Sequence, residues 1–448
     1  MRTDLPRESV ALLRYIWFRP TAIESCSYWR GKAFAPVNAR HVCFRQSEIG
    51  VLKQAAKQIH ASIPSVTAEL CFPYNFKVYT DESIRSVMAI GQGVRIPGDA
   101  PGAPRMVLDE VSALTNAGSL LSPAGEIVAS YDLEVTNTPA LGYRALGQSN
   151  DINNAALSPF SPDYAAASRV HVINGMGVTL GDSVIGITAL MAIKAQFPHI
   201  SFTIYRPAHT PAYVKRLYEL AAPLLGSVIE LPVNLDTLPY TELRIDLGNH
   251  LFWPKFASLP MIDFFLDAMG MKAGDVPSAD KRNHWLQTLE LPRPEGLKGD
   301  YVLLCPSAST PVRSIPASVQ SDLVEAVWQR YGLPIVGFGD IGHMFYTDVA
   351  SRATDTADFL AWIKYAAYLV TPDTAAVHIA AGFDIPTTAF FTTIAPDLRV
   401  RDYPRCTPVT LPVPELEGIQ ASNQASDVER VERAYWALKI DAGFYGFT

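Results

Sequence analysis

An aspartate opens a helix-like segment directly after a glycine-rich loop. The loop, Gly175-Met-Gly-Val-Thr-Leu-Gly-Asp182, follows the strand-like run RVHVIN and precedes the helix-like run SVIGITALMAIKAQFP. Glycine permits positive φ and close backbone approach, and the amide groups at a helix start favour an anion. Asp182 therefore either complements the helix dipole or acts as a general base toward a hydroxyl group bound at the loop.

The same loop does not fit a dinucleotide-binding pattern. That pattern is Gly-x-Gly-x-x-Gly, whereas the third glycine here, Gly181, arrives one residue late. The next strand-like run, ISFTIYR, ends in Arg206 instead of the acidic residue that would hold a ribose hydroxyl group. The loop only weakly indicates NAD, and a tight strand-to-helix turn without a ligand is the alternative.

Two further loops follow strand-like runs in the C-terminal third. Ser307, Ser309 and Arg313 come after DYVLLCP, and their hydroxyl groups and charge suit phosphate oxygens. The alternative is a polar loop with a surface arginine. Gly339 and Asp340 end the run LPIVGFGD, where a base or ribose could approach the backbone. A plain turn is the favoured alternative at this second loop.

A third loop carries the most chemistry. Asp373, Thr374 and Ala375 fall at a helix start after the strand-like run YLV. Free backbone N–H groups there can bind phosphate, while the carboxylate can accept a hydrogen bond from a sugar hydroxyl group. His378 lies about one turn further along the same helix face. Its alternative role is that of an ordinary packing histidine.

Strand-like and helix-like segments alternate from residue 168 onward. This alternation predicts a parallel sheet, in which the loops that follow the strands meet at one edge. Since the pattern restarts near residue 301, we predict an α/β fold of two Rossmann-like domains, 166–300 and 301–448. Residues 1–165 lack this rhythm, and their short β-like runs predict a smaller, β-rich N-terminal module.

Composition excludes several classes of protein. The 448 residues carry a net charge of −7, which argues against a nucleic-acid partner. Five cysteines without a Cys-x-x-Cys pair predict neither a disulfide framework nor a zinc cluster. The apolar stretch 173–193 contains Asp182 and several glycines, so it reads as a core strand and helix instead of a membrane span. We expect a cytoplasmic protein, with peripheral membrane contact and homo-oligomerisation left open.

Two motifs resemble glycosyltransferase family 9, the bacterial heptosyltransferases. The first is Leu180-Gly-Asp-Ser-Val-Ile-Gly-Ile-Thr-Ala-Leu190, which resembles the family's N-terminal glycine-Asp loop and helix. The second, more specific motif is Pro372-Asp-Thr-Ala-Ala-Val-His-Ile-Ala-Ala-Gly-Phe-Asp-Ile-Pro386, similar to the family's Asp-Ser/Thr-Gly-x-x-His-x-x-Ala-x-x-x-x-Pro stretch. The resemblance covers roughly residues 168–445 and implies the glycosyltransferase-B architecture of two Rossmann-like domains. Residues 1–165 have no counterpart in the minimal family fold.

The resemblance implies a role for each site residue. Asp182 would deprotonate the acceptor hydroxyl group, Asp373 would contact the donor sugar, and His378 would support the loop. The donor-binding residues would be Gly181, Ser307, Ser309, Arg313, Gly339, Asp340, Asp373, Thr374, Ala375 and His378. Residues 166–300 would form the acceptor-side domain and 301–448 the nucleotide-sugar-binding domain, with 1–165 serving acceptor recognition or oligomerisation.

Two positions depart from the family pattern. Ala375 stands where the family usually has glycine, so its methyl group would restrict phosphate approach or shift the sugar. Arg313 stands where the family commonly uses lysine, which keeps the charge but changes reach and geometry.

The expected reaction is an inverting, metal-independent glycosyl transfer. The chain contains no Asp-x-Asp, the motif with which glycosyltransferases of the other major fold hold a cation on the diphosphate. We therefore expect neither a metal site nor a cofactor. The partners implied are a nucleotide-sugar donor, with ADP-heptose as the family default, and a hydroxyl group of a glycan, a lipopolysaccharide-type lipid-linked glycan or a protein.

Two other functions compete with this interpretation. Gly181-Asp-Ser-Val resembles the Gly-Asp-Ser-Leu block of SGNH-type esterases, and Asp340-Ile-Gly-His343 matches their Asp-x-x-His pair. Ser183 would then be the nucleophile and His343 the base. A longer loop than esterases have precedes Ser183, and a single-domain hydrolase leaves the second half unexplained. A non-catalytic sugar-nucleotide-binding scaffold protein is the third interpretation, and Ala375 permits it.

Overall fold

The chain from residue 169 onward folds into two α/β units, each built on a parallel sheet, in a computed structural model of the protein. The structure describes the strands given below between residues 13 and 90, together with residues 108, 113–136, 138, 140, 142–149, 151–296 and 299–442.

Short antiparallel strands make up the N-terminal part. One sheet has the strand order β5-β1-β4-β8, and two separate pairs, β2-β3 and β6-β7, accompany it. The strands are β1 Leu13–Pro20, β2 Cys26–Arg30, β3 Ala33–Val37, β4 His41–Arg45, β5 Ala68–Tyr74, β6 Tyr79–Thr80, β7 Ile84–Ser86 and β8 Met88–Ile90. The predicted β-rich N-terminal module is confirmed.

The segment that follows packs on the first α/β unit. Its elements are β9 Leu120–Leu121, β10 Glu126–Val128, α1 Ser130–Val135 and β11 Arg144–Ala145. They form the antiparallel sheet β11-β9-β10-β15, whose last strand, β15 Val233–Asn234, comes from the first unit. A shared apolar core joins the two parts through Leu121, Ile127, Ala129, Leu146, Ile152, Ile173, Tyr205, Leu231 and Leu238.

The first unit has a four-stranded parallel sheet with the order β14-β13-β12-β16. Its strands are β12 Arg169–Ile173, β13 Ser201–Arg206, β14 Gly226–Glu230 and β16 Leu243–Asp246, and its helices are α2 Leu180–Gln196, α3 Ala212–Leu225 and α4 Met261–Ala268. Along the chain, β13 and β14 are added in turn on one side of β12, and β16 is then added on its other side. The crevice between β12 and β16 is therefore the topological switch point of this sheet.

Helix α2 is apolar on every face because it lies in the interior. It packs against α3 and α4 of its own unit and, across the interface, against the second unit. Ile185, Ile187 and Leu190 are fully or almost fully buried although they point in different directions around the helix. Among the described residues, no helix is both long enough and apolar enough to cross a bilayer.

The second unit has a six-stranded parallel sheet with the order β19-β18-β17-β20-β21-β22. The strands are β17 Val302–Leu304, β18 Ile335–Gly337, β19 Tyr346–Asp348, β20 Tyr368–Pro372, β21 Thr387–Phe391 and β22 Cys406–Thr410. The helices are α5 Ala317–Tyr331, α6 Thr356–Lys364, α7 Ala375–Gly382 and α8 Ala425–Ala442. This is the Rossmann strand order, with its switch point between β17 and β20. The predicted pair of Rossmann-like units is confirmed, while the boundaries at residues 165 and 300 stay predictions.

A buried carboxylate ties the N-terminal segment to the first sheet. Asp246 ends β16 with no exposed surface. It accepts hydrogen bonds from Ser119 N at 2.8 Å, Ser119 Oγ at 2.7 Å, Gly248 N at 2.9 Å and Asn154 Nδ2 at 3.4 Å. Burial raises the pKa of Asp246, and these donors oppose that rise. The carboxylate thus connects three segments that are distant in sequence.

Replacing Asp246 by alanine should destabilise the protein by about 3 kcal/mol, because buried donors of Ser119 and Gly248 lose their acceptor. Urea denaturation measures this loss. Asp280→Ala is the matched control, since Asp280 is exposed, and it should change the free energy of unfolding by less than about 0.5 kcal/mol. Equal stability of the two variants would contradict the anchoring role.

Candidate active site

A cavity of about 550 Å³ lies between the two α/β units. Its walls come from the loops that follow β12, β17, β20 and β21 and from the first turns of α2 and α7. Ligands of open α/β sheets bind at the carboxyl ends of the strands, beside the switch point. The cavity has this location with respect to both sheets, so the glycine loop and the third loop of the sequence analysis line the same space.

Asp182 lies in the first turn of α2 and lines the cavity. Thr179 caps this helix, and its Oγ1 accepts a hydrogen bond from Asp182 N at 3.4 Å. Burial alone would raise the pKa of the Asp182 carboxyl group, but interactions with His250, Thr179 and Arg399 outweigh it and hold the pKa below its usual range. Asp182 is therefore ionised at neutral pH, which is the form a general base requires.

His250 faces Asp182 from the loop that follows β16. Its Nε2 lies 3.5 Å from Asp182 Oδ2 and has no hydrogen-bond partner among the described residues. The imidazole centroid lies 4.8 Å, 5.9 Å and 5.4 Å from those of Phe256, Phe264 and Phe265. These rings keep the imidazole in place beside the carboxylate. Sequence reasoning missed His250 because no motif surrounds it, although parallel pairing of β16 with β12 places their loops side by side.

The glycine loop fits closely around this pair. Gly177 has φ +67°, and a Cβ atom there would stand 2.6 Å from His250 Cε1 and 2.9 Å from Asp182 Oδ2. A side chain at this position would push the two groups apart. Arg206 is buried beneath the loop and donates to the carbonyl oxygen of Gly175. The residue that stands in place of a ribose-binding acid therefore supports the loop backbone.

Asp373 and Arg313 form an ion pair on the opposite wall. Arg313 Nη1 lies 3.1 Å from Asp373 Oδ2, and Arg313 Nη2 donates to Ser309 Oγ at 2.8 Å. Burial would raise the pKa of Asp373, but the charges of Arg313, Arg399 and His378 outweigh it and lower the pKa. Arg313 lines the cavity, yet one of its tasks is to hold a carboxylate of the protein itself.

The first turns of α2 and α7 touch each other. Thr374 caps α7, and its Oγ1 accepts a hydrogen bond from Ala376 N at 3.1 Å. A Cβ atom on Gly181 would stand 3.7 Å from Ala375 Cα and 3.9 Å from Ala375 Cβ. Small residues on both helices therefore bring the two N-terminal ends to the same cavity, and the methyl group of Ala375 lies opposite the bare Cα of Gly181.

His378 lines the cavity one turn into α7 and is 3% exposed. Its Nδ1 lies 3.0 Å from Tyr403 Oη. Burial lowers the pKa of His378 to about 4, against the opposing charge of Asp373 and with a smaller contribution from Arg399 in the same direction as burial. The imidazole is therefore neutral at pH 7.

Arg399 is a second cavity residue that sequence reasoning missed. It lies in the loop after β21, where its Nη1 donates to Leu398 O at 3.2 Å and its Nη2 to Gln420 Oε1 at 3.3 Å. Its charge helps to lower the pKa of both Asp182 and Asp373. The signal in the sequence was weak, since the loop APDLRVRDYPR carries several arginines without a motif.

The remaining predicted residues divide into two groups. Ser307 lines the cavity, whereas Gly339 and Asp340 do not; their neighbour Phe338 does. Gly339 N donates to Asp348 Oδ1 at 3.0 Å, and Asp340 Oδ1 accepts from Gly342 N at 2.8 Å. These contacts are those of an exposed turn. The chain thus leaves the cavity lining after Phe338.

One end of the cavity is apolar. Phe338 and Phe359 line it with their ring centroids 5.2 Å apart, and Ala350 and Ala353 lie beside them. Tyr213, which is 50% exposed, stands at the rim. The cavity thus combines an aromatic end, which suits a flat ring, with a polar end that suits an anion.

Ser183 and His343 have separate environments. Ser183 is fully buried behind the glycine loop, with its Oγ 3.5 Å from Met176 O. His343 Nε2 lies 3.5 Å from Glu325 Oε2 in the second unit. Neither residue lines the cavity. The nucleophile–base contact that an esterase requires is not formed between them.

No family model matches the chain, and no curated protein matches it. Several solved structures match the chain. The ADP-heptose LPS heptosyltransferase II of E. coli is 15% identical, over 61% of this chain and 99% of its own, with a TM-score of 0.39. A glycosyl transferase family 9 protein from Veillonella parvula is 12% identical, over 62% and 99%, with a TM-score of 0.40.

The UDP-GlcNAc 2-epimerase from Methanocaldococcus jannaschii is 9% identical, over 60% of this chain and 92% of its own, with a TM-score of 0.33. The first two of these three proteins carry names from the family that the two motifs resemble. The activity has to be argued from the geometry of the site.

Replacing His250 by leucine should raise the pKa of Asp182, because the carboxylate loses the electrostatic interaction with the imidazole 3.5 Å away, which lowers that pKa. Titration of the ¹³C-labelled carboxyl group by NMR measures this pKa, with Asp182→Asn for assignment. His284→Leu is the control, since His284 Nε2 contacts Asp384 Oδ1 at 3.2 Å and not Asp182. An unchanged pKa in His250→Leu would remove the proposed coupling.

His378 should make the protein less stable as the pH falls from 6.5 to about 4. In this window the unfolded chain binds a proton at the imidazole that the folded protein does not, so the free energy of unfolding falls by about 3 kcal/mol. His378→Gln should abolish this component in urea denaturation at pH 7, 6 and 5. The carboxyl groups of Asp182 and Asp373 do not interfere, because their pKa values are lowered from 3.8. The same slope in both proteins would contradict a buried neutral His378.

Proposed function

We propose that the protein is a glycosyltransferase, which moves a sugar from a nucleotide-sugar donor to a hydroxyl group of an acceptor. One observation carries the proposal: an ionised carboxylate of the first unit and an anion-binding helix start of the second unit face the same cavity. Asp182 supplies the carboxylate, and Thr374 and Ala375 open the helix. A base and a binding site for the leaving group are the two parts that this transfer needs.

The donor occupies the second unit. Its nucleobase lies at the aromatic end of the cavity, against Phe338 and Phe359. Its diphosphate lies at the polar end, near the backbone N–H groups of Thr374 and Ala375 at the start of α7, the hydroxyl group of Ser307 and the guanidinium group of Arg399. The sugar then lies between Asp373 and the first turn of α2.

The reaction is a single displacement. Asp182 takes the proton of the acceptor hydroxyl group. At the same time, the oxygen atom of that hydroxyl group attacks the anomeric carbon of the donor sugar. The bond from this carbon to the phosphate oxygen breaks, and its electron pair leaves with the nucleoside diphosphate. One displacement from the side opposite the leaving group inverts the anomeric centre. The helix start and Arg399 stabilise the negative charge that develops on the departing phosphate.

The proposed transfer needs no divalent cation. The sequence lacks an Asp-x-Asp motif, and the proposed diphosphate position already has positive groups from the protein, namely the end of α7 and Arg399. Because the two motifs resemble heptosyltransferases, ADP-heptose is the first donor to test. The acceptor is a hydroxyl group of a glycan, a lipid-linked glycan or a protein, and residues 1–165 are proposed to recognise it or to mediate oligomerisation.

Asp182→Asn should lower kcat by about 10²–10⁴-fold, because the amide cannot take the acceptor proton. Binding of the nucleotide sugar should stay within about threefold of the wild-type value, since the carboxylate acts on the acceptor side. Mass spectrometry of the product across a panel of nucleotide sugars and acceptors measures turnover. Calorimetry measures donor binding.

Ser183→Ala is the matched control in the adjacent position and should leave transfer unchanged, whereas an esterase that uses Ser183 would lose its activity. The same assay with a chelator tests metal independence, and loss of turnover that Mg²⁺ restores would refute it. The contrary result is donor binding without turnover on any acceptor, with the same donor binding in Asp182→Asn. That result would establish the non-catalytic scaffold.

A further inference from the structure

A chain of hydrogen bonds runs from the first unit to His378. Asn283, fully buried in the segment between the units, donates through Nδ2 to the carbonyl oxygen of His378 at 2.8 Å and to Tyr403 Oη at 2.9 Å. Its Oδ1 accepts a hydrogen bond from Thr188 Oγ1 on α2. Tyr403 Oη in turn lies 3.0 Å from His378 Nδ1. The chain therefore links α2, α7 and the loop of Tyr403.

The direction of each hydrogen bond follows from its partners. A backbone carbonyl oxygen can only accept, so the atom of Asn283 that contacts it is the amide nitrogen. The two N–H bonds of this amide are then both used, one toward His378 O and one toward Tyr403 Oη. Tyr403 accepts from Asn283 and has its own hydrogen left to donate.

The hydrogen of Tyr403 has an acceptor in His378 Nδ1. Burial raises the pKa of the Tyr403 hydroxyl group, so it keeps its proton. When Nδ1 accepts this hydrogen, Nδ1 is itself unprotonated. The pKa of about 4 makes the imidazole neutral at pH 7, and its single proton is then on Nε2.

The edge of the ring that carries Cδ2 and Nε2 faces the first turn of α2. The neighbouring ring atom Cδ2 lies 3.5 Å from the point where a Cβ atom of Gly181 would stand, and both residues line the cavity. The charged groups that act on the ring come from several elements: Asp373 before α7, Arg399 after β21, Asp182 on α2 and Arg313 after β17. Opposite charges thus surround His378 from both units, and it adds a donor without adding charge.

We propose that Tyr403 and Asn283 are positioning residues, which hold His378 in the Nε2–H tautomer so that it donates a hydrogen bond to a diphosphate oxygen of the donor. The proposal rests on the proposed function, since it takes the nucleotide diphosphate as the ligand. It excludes His378 as the base that deprotonates the acceptor. It also makes the donor-binding tautomer dependent on contact between the units, because Thr188 belongs to the first and His378 to the second.

The tautomer can be measured without any ligand. ¹⁵N NMR of histidine-labelled protein at pH 7 should show His378 with an unprotonated Nδ1 and a protonated Nε2. Tyr403→Phe should convert it into a mixture of tautomers. Tyr435→Phe is the matched control, because Tyr435 is also fully buried in the second unit but its hydroxyl group has no hydrogen-bond partner within the described part of the chain. A protonated Nδ1 in the wild-type protein, or an identical spectrum in Tyr403→Phe, would overturn the proposal.

Binding of nucleoside diphosphates tests the role of Nε2–H. Glutamine can place its amide nitrogen near the position of Nε2, and asparagine near that of Nδ1. With ADP, UDP and GDP as probes in calorimetry, His378→Gln should keep the Kd of the best ligand within about threefold, whereas His378→Asn should raise it by about tenfold or more, the loss of one hydrogen bond to a charged group.

Tyr403→Phe should raise the same Kd by a smaller factor. Equal affinities of the Gln and Asn variants would contradict donation from Nε2. If none of the three nucleotides binds the wild-type protein, the proposed function fails, and the NMR result still decides the tautomer and its dependence on Tyr403.

Discussion

Contact between the first turn of α2 and the first turn of α7 is the constraint on which the candidate site depends. The N-terminal end of each helix carries partial positive charge, and two such ends repel each other when they face the same space. Gly181 and Ala375 allow the ends to touch, and Asp182 and Asp373 supply the carboxylates that compensate them. The acids that the chemistry requires are therefore also the acids that make the approach of the two helices tolerable.

The other charges of the cavity follow from this contact. Two buried carboxylates need counter-charges, and Arg399 acts on both, while Arg313 pairs with Asp373 alone. The consequence is that both carboxyl groups are ionised despite their burial. Asp182 thus has no arginine bound to it among the residues described and can accept a proton in the proposed reaction, whereas Asp373 is engaged by Arg313. The same type of side chain has two roles because the second unit supplies an arginine within bonding distance of one of them.

The sequence predicted the glycine loop and the helices that begin with an acidic residue. It missed the loops that contribute a single side chain to the cavity and have no motif. Asp182 and the Asp373–His378 stretch were found because strand, loop and helix follow each other with a characteristic spacing. His250 and Arg399 were missed since their position depends on strand order. The pairing of β10 with β15 was also not predicted, because these strands are only three and two residues long. Gly339 and Asp340 lie outside the cavity lining, and the sequence does not show this because a glycine turn after a strand looks the same in either place.

The second motif is specific because two structural requirements act on the short helix α7. The N-terminal end of α7 lines the cavity, and its C-terminal end packs against the segment that connects the units. Asn283 has φ 61°, a left-handed value that asparagine tolerates, and a Cβ atom on Gly382 would stand 2.6 Å from Asn283 O. His378 and Gly382 are four residues apart and so lie on one face of α7, where the first offers its carbonyl oxygen to Asn283 and the second offers room for it. A side chain at position 382 would displace Asn283, and through Tyr403 the change would be transmitted to the imidazole in the cavity. The spacing of His378 and Gly382 in the motif therefore reflects the packing of the two units against each other, in addition to the ligand binding proposed for its N-terminal end.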